Sequence, residues 1–213
     1  MERTLCSTLL ACAALLPPGT QAAPLGEASS ELQLSWEVVR CQTPAGEREK
    51  RFKAPAGKAH QTTDAFPGRS ETLIWEGMVV SSLAGEKRGF SAVGLVKQAK
   101  SLVEQALQID ANARDGSAYN CLGMLYYKVP GWPLSFGDKA KSRDLLLKAL
   151  AVNPMGADSN HFYGEFLFET GQPEEALTHL EQALQAPTRP GPQIADTGRQ
   201  EEARQLLAKI RAR

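Results

Sequence analysis

The chain has few of the residues that carry chemistry. It contains 3 histidines and 4 cysteines. None of the cysteines forms a CxxC pair, and no Cys/His set has zinc-finger spacing, so a structural zinc site has no ligands to build on. No Ser/His/Asp or Cys/His set is suggested, and without such a constellation a catalytic reading has no support. An excess of either charge is also missing. Lys+Arg and Asp+Glu both number 24, which argues against nucleic acid and against an anionic membrane surface as partners. No apolar run is long enough to span a bilayer. "GEKRG" (Gly85 to Gly89) lacks the spacing of a phosphate-binding loop, and "EREKR" (Glu47 to Arg51) is most simply a solvated face. Asp158, His161 and Glu165 share one helix face, which could hold a metal ion only weakly. They read as a polar face between repeats. The expectation is therefore a non-enzymatic protein with no cofactor and no metal site.

The N-terminus is built differently. Its apolar core runs from Leu5 to Leu16, Pro17, Pro18 and Gly19 break it, and small residues follow. This is the layout of a secretory signal peptide with cleavage after Ala22, so residues 1–22 are expected to be removed and the protein to be periplasmic or secreted. "LLAC" (Leu9 to Cys12) resembles a lipoprotein box, but more apolar chain follows Cys12, so lipid anchoring is the lesser expectation. Export would leave Cys41 and Cys121. They fall in different units of the pattern described next, and Cys121 sits inside a helix, so they read as free thiols.

What the chain does have is repetition. In "FYGEFLFETGQPEEALTHLEQALQAP", Phe162, Tyr163, Phe166 and Leu167 recur at helical spacing. Gly171 ends that helix, Pro173 suits the first turn of the next, and Ala176, Leu180, Ala183 and Leu184 form a second stripe. This is an αα-hairpin. The pattern returns upstream in "YNCLGMLYY" with "RDLLLKALAVNP", and again in "LIWEGMVVSSLA" with "VKQAKSLVEQALQIDANA". Successive Ala-Leu pairs, Ala106-Leu107, Ala149-Leu150 and Ala183-Leu184, lie 43 and 34 residues apart. A degenerate hairpin precedes them. Its first helix is read over Glu31 to Arg40, and Pro55 and Gly57 are expected to break or kink its second, because an internal proline costs about 3 kcal/mol. The end of the chain reads as a lone capping helix opened by a Thr197/Gln200 capping box, with Ala203, Leu206, Leu207 and Ile210 on one face.

Two hairpins carry extra residues. Gly164 and Ala183 stand 19 apart, Gly123 and Ala149 26 apart, and Gly77 and Ala106 29 apart. Enlarged turns are expected at 84–94 and 128–138, on one edge of the stack, where insertions often build a binding face. In the second, Pro130-Gly131 suits a type II turn, and Ser135 with Asp138 suits a capping box. Trp132 and Phe136 either pack back on their own hairpin or line an apolar groove or subunit contact. Tyr119, Asn120, Tyr127, Asn160 and Tyr163 are the candidate contacts for an extended peptide or partner protein on a concave face.

These repeats resemble the tetratricopeptide (TPR) family, whose pattern has a small Gly in the first helix, a Gly at the turn, an Ala opening the second helix, and a closing Ala-Leu with Pro soon after. Here these are Gly164, Gly171, Ala176, Ala183-Leu184 and Pro187. The implied fold is an all-α solenoid: three clear hairpins over 68–190, a degenerate one over 23–67, and a linker with capping helix over 191–213. With the aromatic insert and the Arg189-Pro190-Gly191 link, the layout is also similar to the T-component associated with TRAP transporters. That resemblance implies a periplasmic partner of a solute-binding protein, able to self-associate. The function expected is a periplasmic scaffold for protein partners, or an accessory to solute transport that binds a small apolar ligand or the solute-binding subunit.

Overall fold

The structure, a computed structural model, describes residues 24–87, 89–189 and 194–212. The expected signal peptide lies outside them. Among the described residues the regular elements are helices: α1 (Leu25–Glu37), α2 (Ala45–Ala65), α3 (Ser70–Glu86), α4 (Phe90–Ile109), α5 (Ala113–Lys128), α6 (Lys139–Val152), α7 (Ala157–Glu169), α8 (Pro173–Gln185) and α9 (Ile194–Arg211). None of them is long and apolar enough to cross a membrane.

The pairs α3/α4, α5/α6 and α7/α8 pack as hairpins, and each stacks on the next. The repeat glycines set how closely the paired helices approach. A Cβ on Gly77 would lie 2.5 Å from Val103; on Gly123, 2.8 Å from Leu146; on Gly164, 2.8 Å from Leu180. The small residue at each place lets a large one on the partner helix fill the gap. Ala99, Ala106, Ala149, Ala176 and Ala183 are buried opposite. Gly171 takes φ 86° at the α7–α8 turn, a conformation that costs glycine little. Apolar burial is continuous through three clusters: Leu32, Phe52 and Trp75 at the N-terminal end, Ile74, Val103 and Leu122 in the middle, and Leu167, Leu180 and Leu207 at the C-terminal end.

Several local expectations give way to the structure. Helix α2 runs unbroken through Pro55. Pro55 sits on the same buried face as Phe52 and Ala59, and their burial offsets the missing N–H. Helix α1 begins earlier than its apolar stripe, at Leu25, and passes into a π-helical turn at Val38–Gln42. The insertion expected as a loop over 84–94 is mostly helix. Helix α3 continues to Glu86 and α4 starts at Phe90 after Gly89, whose φ is 70°, because nothing in "SSLAGE" stops a helix. The second insertion is a true loop. Its Gly131 is not in the left-handed region, so the type II turn does not form. Instead Leu134 N–H donates to Gly131 O (3.1 Å) and Gly137 N–H to Pro130 O (2.9 Å). Asp138, not Ser135, caps α6, accepting from Lys141 N–H at 3.0 Å. Thr197 lies inside α9 rather than at its start.

Candidate functional site: a chamber lined by the first helix of each repeat

The first helix of each repeat turns one face inward. Counting from each repeat glycine, the residue two places earlier is Trp75, Cys121 and Phe162 in turn, and all three line one cavity. The residue after the glycine is Met78 in α3 and Met124 in α5, and both line it too. Registry of the repeat thus builds a wall of large, polarizable side chains. The extended ends of α3 and α4 add Ala84, Ala92, Val93 and Val96, and the 129–138 loop adds Val129, Pro130 and Leu134. Both insertions therefore border the same space, one as lengthened helix and one as loop.

The two ends of the chain meet beside this space. The π-helical turn brings Arg40 and Cys41 against α9, where Arg40 donates to Glu202 at 2.6 Å. Gly198 faces Cys41 there, and a Cβ on it would lie 2.8 Å from the thiol sulfur. The concave face becomes a chamber of about 690 Å³, within the range of small-molecule sites.

The chamber is apolar with a charged margin. Trp36 and Trp75 meet edge to face with centroids 6.2 Å apart. The Arg114 guanidinium lies 4.3 Å from the Trp75 ring centroid, and that of Arg199 4.2 Å from Phe162. Arg114 opens α5 through three consecutive left-handed residues, Arg114, Asp115 and Gly116, with φ of 50°, 55° and 77°. Such backbone in non-glycine residues is costly and tends to mark functional sites. Burial lowers the Arg114 pKa, with Glu71 acting in the opposite direction. Asp158 on α7 bonds Arg199 (2.8 Å) and Arg189 (2.7 Å). Burial pushes its carboxyl up, but Arg199 and Arg189 outweigh that and hold it at about 2.

Five residues that line the chamber carry a buried polar atom with no partner: Glu37 Oε2, Trp75 Nε1, Arg114 Nε, Asn120 Oδ1 and Ser135 Oγ. Glu37, Trp75 and Asn120 are only 1%, 2% and 4% exposed. Buried groups normally find a partner, so this concentration in one cavity marks a surface prepared for something else.

Of the contact residues expected from sequence, Asn120 lines the chamber. Asn160 is fully buried and donates to Pro154 O (2.8 Å) and Gly156 O (3.1 Å), with His179 Nδ1 3.1 Å from its Oδ1. It ties the α6–α7 turn to α8. Tyr163 is buried, stacked on Phe166 and edge-on to His179. Tyr127 packs edge-on to Phe166, and burial raises its pKa, reinforced by Glu165 and Glu169. Tyr119 packs against the middle cluster. Asn160 and Tyr163 are thus buried within the stack, while Tyr119 and Tyr127 pack half-buried against it. Phe136 packs edge-on to Tyr126 at 5.4 Å, while Trp132 is 90% exposed. Among the described residues no group of three His, Cys, Asp or Glu could hold a metal ion. Asp158 is taken by arginines, and His161 is held well below its usual pKa by burial and then by Arg199. Cys41 and Cys121 are unpaired.

No family model and no curated protein matches the chain. Among solved structures it is similar to TTC0263, a thermophilic TPR protein in Thermus thermophilus. The identity is 14% and the TM-score 0.59, over 89% of this chain and 93% of that one. It is also similar to two crystal structures of MamA, at 20% and 19% identity with TM-scores of 0.43, over 78% and 87% of this chain and 91% of each of those. At these identities the first likeness establishes the fold, a TPR-like solenoid of αα-hairpins.

Proposed function

We propose that this chain is a non-enzymatic, exported binding protein whose working surface is the chamber, and that the chamber takes a small apolar ligand. The observation that carries this is the meeting of α9 with the π-helical turn at Arg40 and Glu202. It adds a wall to the solenoid groove and bounds a space of about 690 Å³, sized for a small molecule. The apolar N-terminal segment with its break at Pro17-Pro18-Gly19 supports export to the periplasm. Together these support an accessory role like that of a TRAP T-component, handing a ligand to or from a solute-binding subunit, with the exposed Trp132 and Leu134 available to such a protein. The test is tryptophan emission in a Trp132→Phe variant, which leaves Trp36 and Trp75 at the chamber. An uncharged naphthylamine probe should quench and shift that emission at one site per chain. An unchanged spectrum at saturating probe would sink the reading.

A second reading is a scaffold that holds an extended segment of a partner protein. The TPR-like fold favours it, as do the unpaired Asn120 Oδ1 and Trp75 Nε1, which suit the N–H and C=O groups of a peptide backbone. A peptide of apolar sequence with both ends blocked, displacing the naphthylamine probe, would select this reading over the first.

A further inference from the structure

We propose that the ligand of the chamber is an apolar monocarboxylate, its carboxylate seated on Arg114 and the indole N–H of Trp75. This rests on the small-ligand reading above.

The wall carries five cations among the described residues, and four have a carboxylate at close range. Arg40 bonds Glu202 at 2.6 Å, Lys128 reaches Glu165 at 2.5 Å, Arg199 reaches Asp158 at 2.8 Å and Arg189 reaches Asp158 at 2.7 Å. Arg114 is the exception. Its ion partner is Glu71 at 3.6 Å, beyond hydrogen-bond distance, and its Nε has no acceptor. One under-neutralised guanidinium calls for one negative charge.

Two unpaired donors occur together at this point. The Arg114 guanidinium lies over the Trp75 ring at 4.3 Å, so its free Nε–H and the free indole N–H belong to one contact pair. Two N–H donors from neighbouring groups match the two oxygens of a carboxylate, and a charge-assisted bond in a dry wall is strong. Ser135 Oγ, on the 129–138 loop, is a hydroxyl that donates and accepts, and the other two unpaired wall atoms, Glu37 Oε2 and Asn120 Oδ1, are acceptors. They disfavour a second negative charge, which separates a monocarboxylate from a dicarboxylate. The rest of the ligand is apolar because the neighbouring wall is Trp36, Met78, Val93, Val96, Met124 and Phe162. The left-handed backbone at Arg114 and Asp115 holds the guanidinium at this edge of the chamber.

The experiment is calorimetric titration of the full chain with decanoate, 1-decanol and decanedioate below their aggregation limits. Decanoate should bind at least tenfold tighter than either of the others. In Arg114→Gln the margin over 1-decanol should fall below about threefold while 1-decanol binding stays unchanged. Trp75→Phe keeps the ring, removes only the N–H, and should shrink the margin several-fold. Circular dichroism melting checks that both variants fold. Equal binding of decanoate and 1-decanol to the native chain overturns the charge assignment and leaves the small-ligand reading intact. Failure of all three to bind overturns both. A doubly blocked apolar peptide that binds while decanoate does not overturns the proposal in favour of a protein segment.

Discussion

Arg40 and Glu202 lie 2.6 Å apart although 162 residues separate them in the chain. This pair and the Gly198–Cys41 contact beside it bring the first and last helical elements together. An isolated stack of hairpins has two free ends, and here the ends meet around the concave face. The ion pair itself is weak. Both side chains are about one-third exposed, and such pairs contribute about 0.2–1 kcal/mol. The close approach of Gly198 to Cys41 is the second contact between the two ends.

The weight of each contact is measurable. Arg40→Ala should lower stability by no more than about 1 kcal/mol and leave the shape unchanged. Gly198→Leu should push α9 away from the π-helical turn, because its Cβ alone would sit 2.8 Å from the Cys41 sulfur. Small-angle scattering should show a larger radius of gyration for Gly198→Leu only. Identical scattering profiles would mean that the meeting of the ends tolerates bulk and is not held by close packing.

The repeat glycines and the free-standing ones should respond to alanine with opposite signs. At Gly164 a new Cβ meets Leu180 at 2.8 Å and its backbone nitrogen at 3.3 Å. Gly164→Ala should cost about 1–3 kcal/mol through overpacking, more than the helix propensity gained. At Gly57, inside α2, nothing lies within 4 Å, so Gly57→Ala should stabilise by about 0.5–1 kcal/mol. Urea denaturation of the two variants decides it; two shifts of the same sign would refute the account.

The hairpins were legible because each leaves a local mark: a glycine where helices touch, an alanine opposite, and a glycine or proline at the turn. Repeat register also held the chamber wall, since stepping back two residues from Gly77, Gly123 and Gly164 gives Trp75, Cys121 and Phe162. Residue type led elsewhere. Asn160 and Tyr163 look like contact residues, but they lie four and one places before Gly164 and so point into the stack. The meeting of the two ends had no local mark. It results from a small rotation per hairpin accumulated along the chain. Arg114 was hidden for a similar reason, because only the left-handed turn at 114–116 aims it inward, and "ARDGS" reads as an ordinary helix start.

The two aromatic residues of the 129–138 loop should separate cleanly. Trp132 is 90% exposed, so Trp132→Ser should change stability by less than about 0.5 kcal/mol. Phe136 packs edge-on to Tyr126 at 5.4 Å and against the middle cluster. Phe136→Ala should cost about 1–3 kcal/mol, below the full-burial range because the site is half-buried. Thermal melts of both variants test this. A large loss for Trp132→Ser would place that ring in the fold rather than on the surface.

Asp158 makes the C-terminal end of the protein acid-sensitive in a defined window. Burial alone would raise its pKa from 3.8, but Arg199 and Arg189 bring it down to about 2. The folded-state value is depressed, so the unfolded chain takes up the proton first as pH falls. The stabilisation is complete above about pH 4–5 and is lost as pH drops towards 2. The shift corresponds to about 2 kcal/mol. Asp158→Asn should therefore be less stable than the native chain by roughly that amount at about pH 7. The gap should narrow below about pH 4 and be nearly gone at about pH 2. Melting curves across that range give the comparison directly. A gap that stays constant over the whole range, or widens in acid, would show that the carboxylate's charge is not what holds α7 to α9.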